Sequence, residues 1–304
     1  MNRRCKEEVQ YIHLQFVFTK TKALGSRIVI KKNFEGMSVR WVIALKAEAE
    51  EIINNYALER VANKPFPVYK NRDIDIWLVL SGIGQINAVA ATTYLYVKSD
   101  ASYNTIWINL GIVGSRNFKV GELVQIDKIT SNDFGDNHYP SPATFKNNNV
   151  ERSNLITVNK PEVLFENDGV YDMEGYAFFS FAKKIASYEL VSVLKIISDI
   201  PGTDISKIDK FAVERLVLKK MPLIEKVLDN LLSLQEMLLL QQRSPKYFDE
   251  ICQHKKFSFS QKVTLKKYLT QWQSRFPMRN PLGEIGQRMT ASQILKKFSD
   301  NLSR

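Results

Sequence analysis

The sequence predicts an α/β fold, a three-layer sandwich around a mixed, largely parallel central sheet, with a helical appendage at the C-terminus. Three observations predict it. Short apolar runs rich in Val and Ile alternate with helical patterns from Trp41 to about Leu240. The runs lack strict alternation of apolar and polar residues, as strands covered on both faces do. Glycines follow several of the runs, at Gly82, Gly84, Gly111 and Gly114, where a parallel sheet collects its ligands at the carboxyl ends of its strands.

The elements follow in order. A strand is read at Trp41 to Leu45 and a helix at Ala47 to Asn55. The next strand, Ile74 to Leu80, leads through Ser81-Gly82-Ile83-Gly84 into a helix from Asn87 to Val97. Strands at Ile106 to Leu110 and Leu123 to Ile126 come next, then a helix from Gly175 to Ser187 and a strand from Leu190 to Ile197. A long helix from Lys210 to about Leu240 closes this region. Strands alternating with helices in this way argue an α/β fold.

Composition excludes several function classes. With 304 residues, 44% of them apolar, the chain can bury a substantial core. No apolar run reaches the length of a membrane span. Gln15, Lys20 and Lys22 interrupt any apolar segment behind Arg3 and Arg4, so no secretory signal is read. Cys5 and Cys252 give no disulfide framework, and a cytoplasmic protein is expected. His13, His138 and His254 have no ligand spacing, so no metal site is expected. The glycine turns lack the Lys and Ser/Thr that a P-loop needs.

Charge divides the chain into three parts. Leu239 to Arg304 carries 13 Lys/Arg against 4 Asp/Glu, and residues 1–37 carry 8 against 3. Of the total of +11, that leaves −3 for the middle. A basic N-terminal extension (1–37), a catalytic body (38–238) and a basic helical appendage (239–304) are the domains expected. Met37 directly precedes the body and is an alternative start.

The body holds one pairing that reads as a site. Glu174 opens the helix that follows Tyr171-Asp172-Met173, and Asp199 ends the strand that follows that helix. A carboxylate at the mouth of a sheet is costly to bury unless a ligand needs it. A helix-terminal carboxylate and a turn cap are the structural alternatives for these two residues.

Six segments, in order, resemble the nucleoside phosphorylase/nucleosidase superfamily, and within it the methylthioadenosine/S-adenosylhomocysteine nucleosidases. They are Ala44-Leu45-Lys46-Ala47-Glu48, Ser81 to Ala88, Asn109 to Gly114, Val120 to Val124, Asp172-Met173-Glu174-Gly175 and Ile197-Ser198-Asp199. The resemblance implies cleavage of the N-ribosidic bond of a 5′-modified adenosine to adenine and a ribose derivative, without a metal or an organic cofactor. Asp199 would be the acid at purine N7, oriented by Ser198, and Glu48 would polarise the attacking water. Glu174 would hold the ribose hydroxyls and stabilise the oxocarbenium. Met173 would lie on the sugar, Ile112 at the glycine turn, Val158 against the base, and Phe211 as a capping aromatic. A homodimer is implied, and the stretch Phe134 to Pro142 reads as the loop that would cross to the second subunit or as an ordinary surface loop.

Two departures favour hydrolysis over phosphorolysis. Where phosphorylases of the superfamily place an arginine and a hydroxyl residue for phosphate, this chain has Asn109 and Ile112. A phosphate dianion beside Ile112 would lose donors. A phosphorylase and a catalytically quiet nucleoside-binding scaffold are the rival readings.

The ends lie outside the resemblance. Tyr11 to Phe18 reads as a further strand. Helices are read at Pro245 to Gln253, Ser260 to Phe276 and Ser292 to Leu302. Their lysines suit either a solvated helical cap or a docking surface for nucleic acid, an acidic protein or a membrane surface.

Overall fold

The structure, a computed structural model, describes residues 37–146, 149–204, 208–286 and 288–303. The basic extension, apart from Met37, and the strand read at Tyr11 to Phe18 lie outside the described residues. The chain divides into two compact units, with the boundary between Glu236 and Met237.

The first unit is mixed α/β. Strand β1 (Ser38–Ile43) is central, with Val39, Trp41, Val42 and Ile43 wholly buried. It pairs in parallel with β4 (Asp75–Leu80) on one side and β5 (Ile106–Ser115) on the other. Burial on both faces explains why these strands read as continuous apolar runs. Helix α1 (Lys46–Asn55) follows β1, and α2 (Gln85–Lys98) follows β4. Between them, β2 (Glu59–Ala62) and β3 (Val68–Lys70) form an antiparallel edge on β4. Arg40 is buried on β1, where it pairs with Asp75 at 3.1 Å and donates to the carbonyl of Ser99, tying the start of the sheet to the end of α2.

The other half of the sheet curls. It contains β6 (Leu123–Ser131), β7 (Glu151–Thr157), β8 (Val170–Asp172) and β9 (Val191–Asp199), with α3 (Gly175–Ile185) between the last two. The strand order is β2-β3-β4-β1-β5-β8-β7-β6-β9, and β9 pairs again with β5. The strands β5, β8, β7, β6 and β9 therefore form a closed ring. The sheet is mixed as expected, with five parallel and four antiparallel pairings. It is barrel-like on this side instead of open.

Strand β5 makes the closure possible. It outruns β1 beyond Leu110, and its last residues, Gly114 and Ser115, take β8 as a new neighbour. A register shift between Val113 and Gly114 bends β5 against β9 at that point, as a bulge does. The carboxyl ends of β1, β5, β8 and β9 thereby surround one space.

Helix α4 (Lys210–Gln242) follows β9. The second unit contains α5 (Phe248–His254), α6 (Phe259–Arg275) and α7 (Ala291–Ser303). Leu265, Leu269 and Trp272 of α6 meet Phe248, Ile251, Ile294 and Phe298 in a separate apolar core. Ser258 and Gln261 cap the start of α6 reciprocally. No helix among the described residues is long and apolar enough to cross a membrane.

Candidate active site

The strand ends enclose a cavity of about 470 Å³. Glu48, Ile112, Val158, Met173, Glu174, Ser198 and Asp199 all line it. Phe211 does not. It sits at the first turn of α4 with 65% of its surface exposed, and Ile208, Lys210 and Val213 line the cavity from that side instead. The capping role expected for Phe211 therefore has no support in the geometry. A second, shallower depression of about 640 Å³ lies between Pro142 and Arg152 and shares no residue with the first.

Glu48 is at the third position of α1, and its side chain is buried. It is not the solvated helix-face residue that its acidic neighbours suggest. One carboxylate oxygen accepts from the Leu45 amide at 2.9 Å and the other from the Ile112 amide at 3.0 Å. Burial pushes its pKa up, and the two amides and nearby Lys195 offset part of the rise.

Glu174 precedes α3 but does not cap it. Its carboxylate turns away to accept from the Gly84 amide at 2.7 Å, at the start of α2. Gly84 has φ +100°, which only glycine adopts without strain, so the turn sequence delivers this donor. Asp172 takes the helix-start role, accepting from the Gly175 amide at 2.8 Å. Burial and the charge of Asp172 raise the pKa of Glu174 from 4.5 to about 7.

Asp199 ends β9. Ser198 Oγ donates to its Oδ1 at 2.5 Å, and burial raises its pKa. The turn that follows is held by Thr203 Oγ1, which accepts from the Ile200 amide at 3.0 Å. Asp199 is therefore spared that capping task.

Two contributors escaped the sequence reading. Lys195 lies on β9, four residues before Asp199, inside an otherwise apolar run. Its Nζ is 2.7 Å from Asp172 Oδ2, and both side chains are 1% exposed. A Cβ placed on Gly111 would lie 3.2 Å from that ammonium and 3.5 Å from Glu48 Oε1, so the cation sits beside both carboxylates. A lone lysine within a buried strand was the available signal, since it demands a partner. The second is Phe165, in the loop between β7 and β8. A Cβ on Gly114 would lie 2.3 Å from its ring and 2.6 Å from Asp199 Oδ2. Glycine is thus required there, and the ring lies flush on the strand end beside the acid. Phe165 packs with Tyr171, Ile156, Val158 and Met173 in a small cluster along the cavity wall.

The loop from Phe134 to Pro142 folds onto its own chain. Phe134 stacks on Tyr176 of α3 at 5.2 Å, and His138 is buried against the same ring. No group of His, Cys, Asp and Glu among the described residues is arranged to hold a metal.

No protein-family model matches the sequence, and no curated protein is significantly similar to it. Solved structures do match. A 5′-methylthioadenosine/S-adenosylhomocysteine nucleosidase from Colwellia psychrerythraea in complex with adenine aligns with a TM-score of 0.54 at 17% identity, over 65% of this chain and 97% of that one. The 5′-methylthioadenosine nucleosidase of Arabidopsis thaliana aligns with 0.54 at 20% identity, over 64% and 96%. A futalosine hydrolase mutant of Helicobacter pylori gives 0.51 at 12%, over 64% and 99%. Nearly the whole of each neighbour is accounted for by about two thirds of this chain. The chain carries the nucleoside phosphorylase/nucleosidase-like fold seen in the methylthioadenosine/S-adenosylhomocysteine nucleosidases.

Proposed function

We propose that the protein hydrolyses the N-ribosidic bond of a 5′-modified adenosine, releasing adenine and a ribose derivative. The observation that carries this reading is the meeting of Glu48, Glu174 and Asp199 in one cavity, each with a raised pKa. As the bond from C1′ to N9 breaks, its electron pair passes to the purine. Asp199, whose hold on a proton burial strengthens, gives that proton to N7, and Ser198 fixes the carboxyl's orientation. Glu48 takes a proton from the water that attacks C1′. Its raised pKa makes it a stronger base than an exposed glutamate. Glu174 accepts from the ribose hydroxyls, and its charge stabilises the oxocarbenium-like sugar. Met173 and Val158 supply apolar surface.

Hydrolysis is favoured over phosphorolysis by a specific contact. The Ile112 amide, which lies within β5 and not in the turn expected at Gly111 to Gly114, is already taken by the Glu48 carboxylate at 3.0 Å. A phosphate dianion would meet an anion there instead of a donor. Asn109, at the other expected phosphate position, is buried and donates to the Val42 carbonyl at 2.9 Å.

The candidate substrates are methylthioadenosine, S-adenosylhomocysteine and 5′-deoxyadenosine, and the fold shared with methylthioadenosine/S-adenosylhomocysteine nucleosidases supports the first two. A homodimer in the cytoplasm is part of this proposal. The test is base release from each of these substrates with and without inorganic phosphate. Release indifferent to phosphate supports the hydrolase. Phosphate-dependent release would favour the phosphorylase, and tight binding without release the scaffold.

A further inference from the structure

We infer that the second compact unit is a single-stranded nucleic-acid-binding module, with the surface of α6 and the loop before it as the contact. From Ile251 to Gly283 the sequence has seven Lys/Arg and no Asp/Glu. A stretch of that kind meets repulsion from within unless a polyanion faces it.

The structure sorts these cations. Arg279 and Lys297 are committed to Glu284, on another part of the unit. Lys256, Lys262, Lys266 and Lys267 are exposed and paired with no carboxylate among the described residues. Lys262 and Lys266 are one turn apart on α6, a rise of about 6 Å. Lys266 Nζ lies 5.0 Å from the centre of the Phe248 ring, against α5, and the thiol of Cys252 on α5, its pKa pushed up by burial, feels Lys262 and Lys266 with Asp249 opposing them. His254, at the end of α5, and Lys255 and Lys256 in the connecting loop continue this surface.

Among the cations stand two exposed apolar side chains of α6. Phe259 is 85% exposed and Val263, one turn later, 55%. Phe259 follows Lys255 and Lys256 and precedes Lys262, so a base can stack on its ring while flanking phosphates meet ammonium groups. The same surface fits a membrane poorly. The apolar stripe of α6, Leu265, Leu269 and Trp272, is already spent on the unit's own core, leaving scattered side chains, Phe259, Val263 and Met278, to insert.

Binding of a fluorescent 20-nucleotide single-stranded oligomer to the full chain, followed by anisotropy at several salt concentrations, tests this. Four phosphate contacts give a slope of log K against log salt of about −3. K262E/K266E is expected to weaken binding at least ~10-fold, and F259A several-fold with the slope unchanged. Base release by both variants should match the parent, showing that the chain remains folded. Circular dichroism gives the same control if the proposed activity fails. No binding at low salt, binding indifferent to charge reversal, or stronger association with vesicles of anionic lipid would each overturn the inference.

Discussion

Lys195 Nζ lies 2.7 Å from Asp172 Oδ2, and this ion pair, almost fully buried, underlies the two carboxylates Glu48 and Glu174. Asp172 is further held by Thr157 Oγ1 at 2.7 Å and the Gly175 amide at 2.8 Å. The pair thus joins β7, β8, β9 and α3 at the cavity floor. Removing the cation alone strands a buried anion, which typically costs 3–5 kcal/mol. Lys195→Met is expected to lower unfolding free energy by about that amount in urea. Adding Asp172→Asn should restore part of the loss, because the stranded charge is gone.

The pKa of Glu174 gives a stability signature with a defined sign. Its folded value, about 7, exceeds its ordinary 4.5, so the folded state holds the proton more tightly than the unfolded. Stability from this group is present below pH 4.5 and lost as pH rises through 7. Glu174→Gln, which cannot ionise, should therefore gain in Tm over the parent at pH 8, and the gain should shrink toward pH 4.5. Thermal unfolding across that range checks it. A gain that does not vary with pH would mean the carboxylate is not strained by burial.

Activity should show the opposite limb as well. Glu174 must be ionised to hold the ribose, so kcat/KM should fall as pH drops below about 7. Asp199, whose pKa burial raises, must carry its proton to act as an acid, so kcat/KM should also fall at high pH, and Asp199→Asn should lack that limb. A bell-shaped profile is expected. Loss of the acidic limb in Glu174→Gln would assign that limb.

Phe165 and Gly114 form a matched pair. Phe165→Ala removes an aromatic wall beside Asp199 and is expected to raise KM up to ~10-fold, the worth of one aromatic contact. Gly114→Ala would drive a methyl to 2.3 Å from that ring and 2.6 Å from Asp199 Oδ2. A loss of about 1–3 kcal/mol in stability is expected. Combining it with Phe165→Ala should recover part of the stability, while activity stays low because Asp199 remains displaced.

Much of the body was legible because its strands are buried on both faces. β1, β4, β5, β6 and β9 all overlap apolar runs, although β1 begins and ends earlier than expected and β5 and β6 run on past theirs, and α1, α2, α3 and α4 overlap helical patterns. Four strands were not legible, for physical reasons. β2 is largely exposed, β3 and β8 are three residues each, and β7 opens on Glu151-Arg152-Ser153-Asn154. Missing β7 and β8 hid the ring, since ring closure depends on β8 meeting the end of β5. The lining of the candidate site was legible where a side chain ends a strand or opens a helix, as with Asp199 and Glu174. Phe165 was not, because a loop residue acquires its place only through the close approach that Gly114 permits. Phe211 misled because an aromatic beginning a helix looks alike whether it faces a cavity or solvent.

The most direct test is adenine release from methylthioadenosine by the parent and by Asp199→Asn, without phosphate. The parent is expected to release adenine. Asp199→Asn, which keeps the shape but has no proton to give N7, is expected to lose at least ~10²-fold in kcat while still binding the nucleoside. Release undiminished in the variant would contradict the assignment of Asp199 as the acid and, with it, the proposed chemistry of this site.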